Sequence, residues 1–288
     1  MPSLIEIKKE IDSNPIDNLK KYVKLLSEHT NRNVILYYSG WLNVSPDNPV
    51  SINDNDMNGF MAMTHGLTFE KGLDLILHTP GGSVAATESI INYINQMFNG
   101  NIRAIIPQLA MSGGTMIACS CNEIIMGKQS SLGPIDPQIL GVPAQAIIDE
   151  FITAKKEIKE DPSCIPLWQP IIGKYSPTLL DSCQHAIKWS EEILYKSLER
   201  NMFYNQDDAP IEKIMNTLAS HQNTKAHNRH LSLKKCSDIG LNVSALENDN
   251  KLQDYVLSIH HCSMEVFERM NVYKIFCNQK SHLNYMYS

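Results

Sequence analysis

The chain alternates short unbroken apolar runs with longer stretches in which apolar residues recur every three or four positions. Runs such as Val34-Ile35-Leu36-Tyr37-Tyr38, Leu73-Asp74-Leu75-Ile76-Leu77 and Glu123-Ile124-Ile125-Met126 have the length and composition of strands buried on both faces. A further run from Ile102 to Met111 reads as one more strand. Helical spacing covers residues 1–30, with Pro15 just ahead of its clearest part, and residues 85–98, where Ile90, Ile91, Ile94 and Met97 share a face. A short helix is expected over 59–67 and another from Ser112 to about 121. The stretches 144–159, 177–202, 209–219 and 251–270 also read as helices, and 231–241 as a capped helix stopping at Gly240. Residues 44–57, rich in Pro, Asn and Asp, read as a loop, and the last ten residues show no pattern.

A succession of strand, helix, strand and helix predicts βαβ units with parallel pairing, hence an α/β fold. The expected organisation is an N-terminal helix and first strand over 1–43, and a core over 44–245 with a helical insertion at about 144–220. A helical tail over 246–288 completes it.

Two of the strands end in small-residue turns. The first runs into His78-Thr79-Pro80-Gly81-Gly82, the second into Ala110-Met111-Ser112-Gly113-Gly114-Thr115. A strand that stops at Gly-Gly can leave backbone N–H groups facing a pocket, and a strand that stops at a serine on a helix start offers a hydroxyl to the same pocket. Together these are the parts of an oxyanion hole and a nucleophile, which points to acyl transfer. Ser112 read as a helix N-cap would serve that position equally well, and the glycines would equally make tight strand-to-helix turns.

Composition narrows the alternatives. A net charge of −6 argues against nucleic acid or an anionic membrane as main partner. No apolar stretch reaches eighteen residues, and the charged start Ile5-Glu6-Ile7-Lys8-Lys9-Glu10 does not read as a signal peptide, so a cytoplasmic protein without a membrane span is expected. Seven scattered cysteines suggest no disulfide framework, and neither Cys119-Ser120-Cys121 nor His260-His261-Cys262 makes a convincing metal set. No cofactor or metal is expected, and no nucleotide-binding loop is visible.

The segments Tyr38-Ser39-Gly40-Trp41-Leu42, Gly72-Leu73-Asp74-Leu75-Ile76-Leu77-His78-Thr79-Pro80-Gly81-Gly82, Ala110-Met111-Ser112-Gly113-Gly114-Thr115-Met116 and Leu132-Gly133-Pro134-Ile135-Asp136-Pro137-Gln138 stand in an order that resembles the Clp-fold serine peptidases. These include the Clp protease proteolytic subunit and signal peptide peptidase A, and the resemblance extends to their serine dehydrogenase proteinase family. It implies a Clp/crotonase-like α/β fold of repeated ββα and βαβ units with a helical C-terminal region. It also implies a serine nucleophile acting on peptides or proteins through an acyl-enzyme, and a homo-oligomer, trimer-based or ring-like.

Carried over residue by residue, the resemblance makes Ser112 the nucleophile and gives the oxyanion hole to the N–H groups of Gly82 and Gly113, with Gly81 and His78 beside the substrate. The base departs from the pattern. Asp136 stands where the Clp protease subunit carries a histidine, so it is a candidate orienting residue or base, and His227 is a candidate base from the loop equivalent to the family's third triad position. Asn228 departs from the His-Asp pair expected there. Lys155 and Lys156 are the lysines nearest the role that a lysine base plays in signal peptide peptidase A. Two other readings share these turns: an inactive Clp-fold scaffold or binding protein, and a crotonase-like enzyme holding a thioester enolate, against which a serine at the helix start argues.

Overall fold

The computed structural model describes residues 14–206, 210–219 and 229–287. Helix α1 (Pro15–Thr30) starts with proline at its first turn, and the Asn14 side chain caps the amides of Ile16 and Asp17. Strand β1 (Asn33–Ser39) follows, then α2 (Asp56–Thr64), β2 (Leu73–His78), α3 (Val84–Phe98) and β3 (Ile102–Ile106). The strand expected to reach Met111 breaks after Ile106. Leu109–Ala110 forms a separate strand, β4, which pairs with β6 (Ser131–Leu132) outside the main sheet. Pro107 lies in the break and has no N–H for a ladder.

Helix α4 (Gly113–Cys119) and β5 (Glu123–Met126) complete the first half. A hairpin of β7 (Gln138–Ile139) and β8 (Val142–Pro143) leads to α5 (Ala144–Glu160), α6 (Ile165–Ile172), α7 (Leu179–Ser197) and a π-helical turn (Leu198–Met202). After α8 (Ile211–Leu218) come β9 (Leu231–Ser232), α9 (Leu233–Ile239), β10 (Val243–Ala245) and α10 (Asn250–Arg269). The α9 helix is capped by Ser232 at one end and Gly240, at φ +103°, at the other, as its sequence signals.

Beyond α10 the tail, expected to be helical over 246–288, supplies the strands β11 (Val272–Asn278) and β12 (Leu283–Tyr287). Among the described residues the main sheet has seven strands in the order β10-β5-β3-β2-β1-β11-β12. The pairs from β10 to β1 are parallel, whereas β11 is antiparallel to β1 and to β12. The N-terminal strand therefore sits inside the sheet, between β2 and the C-terminal strand.

Strand β1 is buried along its whole length and divides its side chains by parity. Ile35 and Tyr37 join the core under α3, α4 and α9, while Val34, Leu36 and Tyr38 join a second core under α1 and α10. The protein is thus a three-layer α/β sandwich. The same parity places Leu75 and Leu77 of β2 on the α4 side and Ile76 on the other. Among the described residues no helix is long and apolar enough to cross a membrane.

Candidate functional site

The two glycine turns meet at the carboxyl ends of the parallel strands. Thr79 just beyond β2 bridges Ala110 of β4, with Thr79 N–H donating to the Leu109 carbonyl at 3.1 Å and Met111 N–H to the Thr79 carbonyl at 3.0 Å. On the other side, Ile52 makes a parallel bridge to Gly82, with Ile52 N–H on the Gly81 carbonyl at 2.7 Å and Ser83 N–H on the Ile52 carbonyl at 2.9 Å. The loop expected over 44–57 therefore carries a piece of extended chain that backs the glycine turn.

Ser112 adopts φ +49°, ψ −112°, a conformation that L residues rarely take. Such strain persists where surrounding structure imposes it, and it is common at active sites. Its side chain makes no capping hydrogen bond to α4, so the N-cap role does not account for a serine here. Gly81 lies against it, because a Cβ at position 81 would stand 2.7 Å from Ser112 Cβ and 2.8 Å from Gly113 N. A Cβ on Gly113 would lie 3.5 Å from the Gly82 nitrogen, so these two backbone donors are neighbours. Neither N–H donates to any described residue. One hydroxyl and two unspent donors share one corner.

That corner opens on a cavity of about 410 Å³ lined by Ser112, Gly81, Gly82, Asp136, Gln138 and Trp189, among others. Two further hollows lie elsewhere, around Arg200 and Asn201, and neither includes Ser112 or the glycine turns. Asp136 is 4% exposed and is the single ionisable side chain among the described residues lining the Ser112 cavity. Thr115 carries it there. Its hydroxyl donates toward the Gly133 carbonyl at 2.9 Å and accepts from Gly133 N–H at 3.0 Å, which clips the Gly133-Pro134 segment to α4. The opposite wall is α7, which contributes Ala186, Trp189 and Ser190. Trp189 is held by an indole N–H···Glu88 hydrogen bond of 3.0 Å. This wall had no sequence signal, because its residues are ordinary in an amphipathic helix.

His78 does not reach the cavity. It is fully buried on the opposite face of the sheet, stacked on Tyr38 at 4.7 Å, with Nδ1 on the Ser39 carbonyl at 3.0 Å and Nε2 facing the Gln108 amide at 3.2 Å. The expectation that it lies beside substrate is corrected by strand parity: Leu77 faces the α4 side, so His78 must face away. Lys155 and Lys156 are exposed on α5 and line no part of the cavity. His227 lies outside the described residues.

Burial pushes His78 down to about 4 and His260, whose Nδ1 meets the Tyr38 hydroxyl at 2.6 Å, down to about 3, with His78 and His261 adding to the latter. Both rings are neutral in the fold, whereas an unfolded chain protonates them near 6.5. The unfolded state therefore takes up more protons below pH 6.5, and stability is lost as pH falls from about 6.5 toward 4, by up to about 1.4 kcal/mol per pH unit for each ring. Urea unfolding at pH 7 and pH 5 should show a steeper acid loss for the wild type than for His260→Gln. Equal losses would mean these rings do not control acid stability.

Gly82→Ala is expected to destabilise the protein rather than simply slow it. The new Cβ would stand 2.3 Å from both the nitrogen and the carbonyl oxygen of Ile52, which are backbone atoms that cannot step aside. Overpacking of this kind costs about 1–3 kcal/mol or more. A thermal midpoint equal to wild type would show that the turn relaxes.

With this geometry in view, comparison with known proteins places the chain. Residues 52–288 match the family model of the ClpP-like SDH-type serine proteinases, and the chain belongs to that family. It is 32% identical over 172 residues to an uncharacterized protein of Methanocaldococcus jannaschii, MJ1495, covering 60% of this chain and 52% of the relative. It is 27% identical over 218 residues to a second, MJ0137, from the same organism, covering 75% of this chain and 64% of the relative. The chain thus spans between about half and two-thirds of the length of these relatives. Among solved structures, a ClpP1 mutant from Listeria monocytogenes aligns with TM-score 0.42 and 13% identity, over 79% of this chain and 99% of the other.

Proposed function

We propose that this chain is a serine endopeptidase that cleaves peptide or protein substrates through an acyl-enzyme. The observation that carries the reading is the strained, uncapped Ser112 beside the two unspent N–H groups of Gly82 and Gly113, at the mouth of a cavity. Ser112 Oγ adds to the peptide carbonyl while these N–H groups hold the oxygen as it gains negative charge. The base takes the Ser112 proton and passes it to the amine nitrogen as the C–N bond breaks. Water then adds to the acyl-enzyme, giving a proton through the base back to Ser112 Oγ as the ester bond breaks and the acid product leaves. Family membership supports the same chemistry.

The base in this reading is His227, oriented by Asp136. The described residues on both sides of position 227 support it: the Leu218 carbonyl accepts from Ile135 N–H at 2.7 Å, and Leu231 pairs with Leu132. Both anchors hold the chain to the segment that ends in Asp136. No cofactor enters the mechanism. The reading includes a homo-oligomer, trimer-based or ring-like, in a cytoplasmic setting.

A fluorophosphonate probe tests the reading, since it reacts with an activated serine hydroxyl. Labelling of the folded protein supports a peptidase. Absence of labelling would favour an inactive scaffold or a crotonase-like site, which share the paired N–H groups without an activated serine.

A further inference from the structure

The core holds an ion pair that the chemistry above does not use. Lys274 on β11 and Asp56 at the start of α2 are both fully buried, and the ammonium meets both carboxylate oxygens at 2.8 and 2.9 Å. The same carboxylate accepts from the Tyr37 hydroxyl at 2.8 Å and from Asn53 N–H at 2.9 Å. Replacing a buried pair with apolar side chains is often neutral or stabilising, so stability alone is a weak reason for this one.

Its remaining contacts all run to one segment. Lys274 Nζ donates to the Ser51 carbonyl at 2.8 Å. Ser39, which pairs with Lys274 in the sheet register, donates through its hydroxyl to the Val50 carbonyl at 2.8 Å. Residues 50, 51 and 53 are therefore fastened to the sheet or to Asp56, and residue 52 between them directs both backbone groups to the glycine turn.

The consequence follows from peptide geometry. The Gly81 carbonyl and the Gly82 N–H belong to one peptide unit, and no cis bond occurs among the described residues. In a trans unit the N–H points opposite to the C=O. When Ile52 N–H captures the Gly81 carbonyl, it turns the Gly82 N–H away from the Ile52 segment, and the Gly82 nitrogen lies beside Gly113. Moving Ile52 would rotate that plane and swing the donor out of line.

We propose that the Lys274–Asp56 pair is a positioning device for the oxyanion turn: it fixes residues 51–53, and through Ile52 it aims the Gly82 N–H into the Ser112 cavity. This rests on the peptidase reading, in which that N–H is an oxyanion donor. Lys274 and Asp56 touch no substrate; they act through Ile52.

The test is the kinetics of inactivation by a fluorophosphonate, whose phosphoryl oxygen occupies the same hole. Lys274→Met/Asp56→Asn removes both charges together and keeps an acceptor for Tyr37 and Asn53. Circular dichroism under the labelling conditions gives the folded fraction, and the rate divided by that fraction reports positioning and not stability. The expected result is complete labelling at a maximal rate lowered about 10- to 100-fold, below the roughly 10²–10³ of an entirely lost donor, with the half-saturating probe concentration unchanged. A maximal rate within twofold of wild type overturns the inference alone. An unlabelled wild type overturns the peptidase reading and this inference with it. If the double variant does not fold, Tyr37→Phe, which removes one hydrogen bond to Asp56 and leaves the ion pair, should lower the maximal rate several-fold, and an unchanged rate there overturns the inference.

Discussion

Ser112→Ala is expected to abolish peptide hydrolysis, by about 10⁶ in kcat as for other serine nucleophiles, while leaving the thermal midpoint where it was. The loss is chemical, because the other hydroxyls lining the cavity among the described residues, those of Ser51, Ser83 and Ser190, do not sit on the strained turn. Stability is spared because the Ser112 side chain makes no cap to lose, so the change falls within the roughly 0.5 kcal/mol of an ordinary neutral substitution. A sequence reading of Ser112 as an N-cap leads instead to a cost of about 1 kcal/mol. Ser112→Gly sharpens the contrast. Glycine accepts φ +49° without strain, so this variant should be inactive and at least as stable as wild type. Differential scanning calorimetry with a turnover assay checks both, and a destabilised Ser112→Gly would contradict the strain argument.

The second large effect concerns the proton. If His227 is the base, His227→Ala should nearly abolish acylation, and kcat/KM should rise with pH through an apparent pKa near 6.5. The sign follows from the chemistry: the neutral imidazole accepts the Ser112 proton, so activity is low where the ring is charged and grows as it deprotonates. Asp136→Asn should then cost about 10⁴ in kcat, since an amide cannot stabilise the imidazolium as a carboxylate does. Full activity in His227→Ala would remove His227 from the mechanism. A rate that keeps climbing above pH 8 would point instead to a lysine base, although Lys155 and Lys156 are exposed on α5 and away from the cavity.

What the sequence reveals and what it hides divide along physical lines. The β1–β3 and β5 strands, α3, α10 and the capped α9 are legible because each carries a local signal: an unbroken apolar run, a face at helical spacing, or Ser232 and Gly240 at the helix ends. The two glycine turns are legible for the same reason, and the structure brings them together. Strand β11 was hidden, since its place in the sheet comes from long-range pairing with β1 and its sequence includes Lys274, whose charge is met only by the distant Asp56. The facing of His78 was likewise a matter of parity along β2, which proximity to the glycine turn obscures. Ile52, backing Gly82 from within an apparent loop, and the α7 wall with Trp189 belong to the same class. Their roles arise from tertiary contact.

The central claim is that Ser112 is an activated nucleophile. Incubation of the wild-type protein with a fluorophosphonate, followed by digestion and mass spectrometry of the peptides, tests it most directly. The expected result is a single adduct on Ser112, absent after heat denaturation and absent from Ser112→Ala. An adduct on another serine, or a folded wild-type protein that takes up no label, would contradict it.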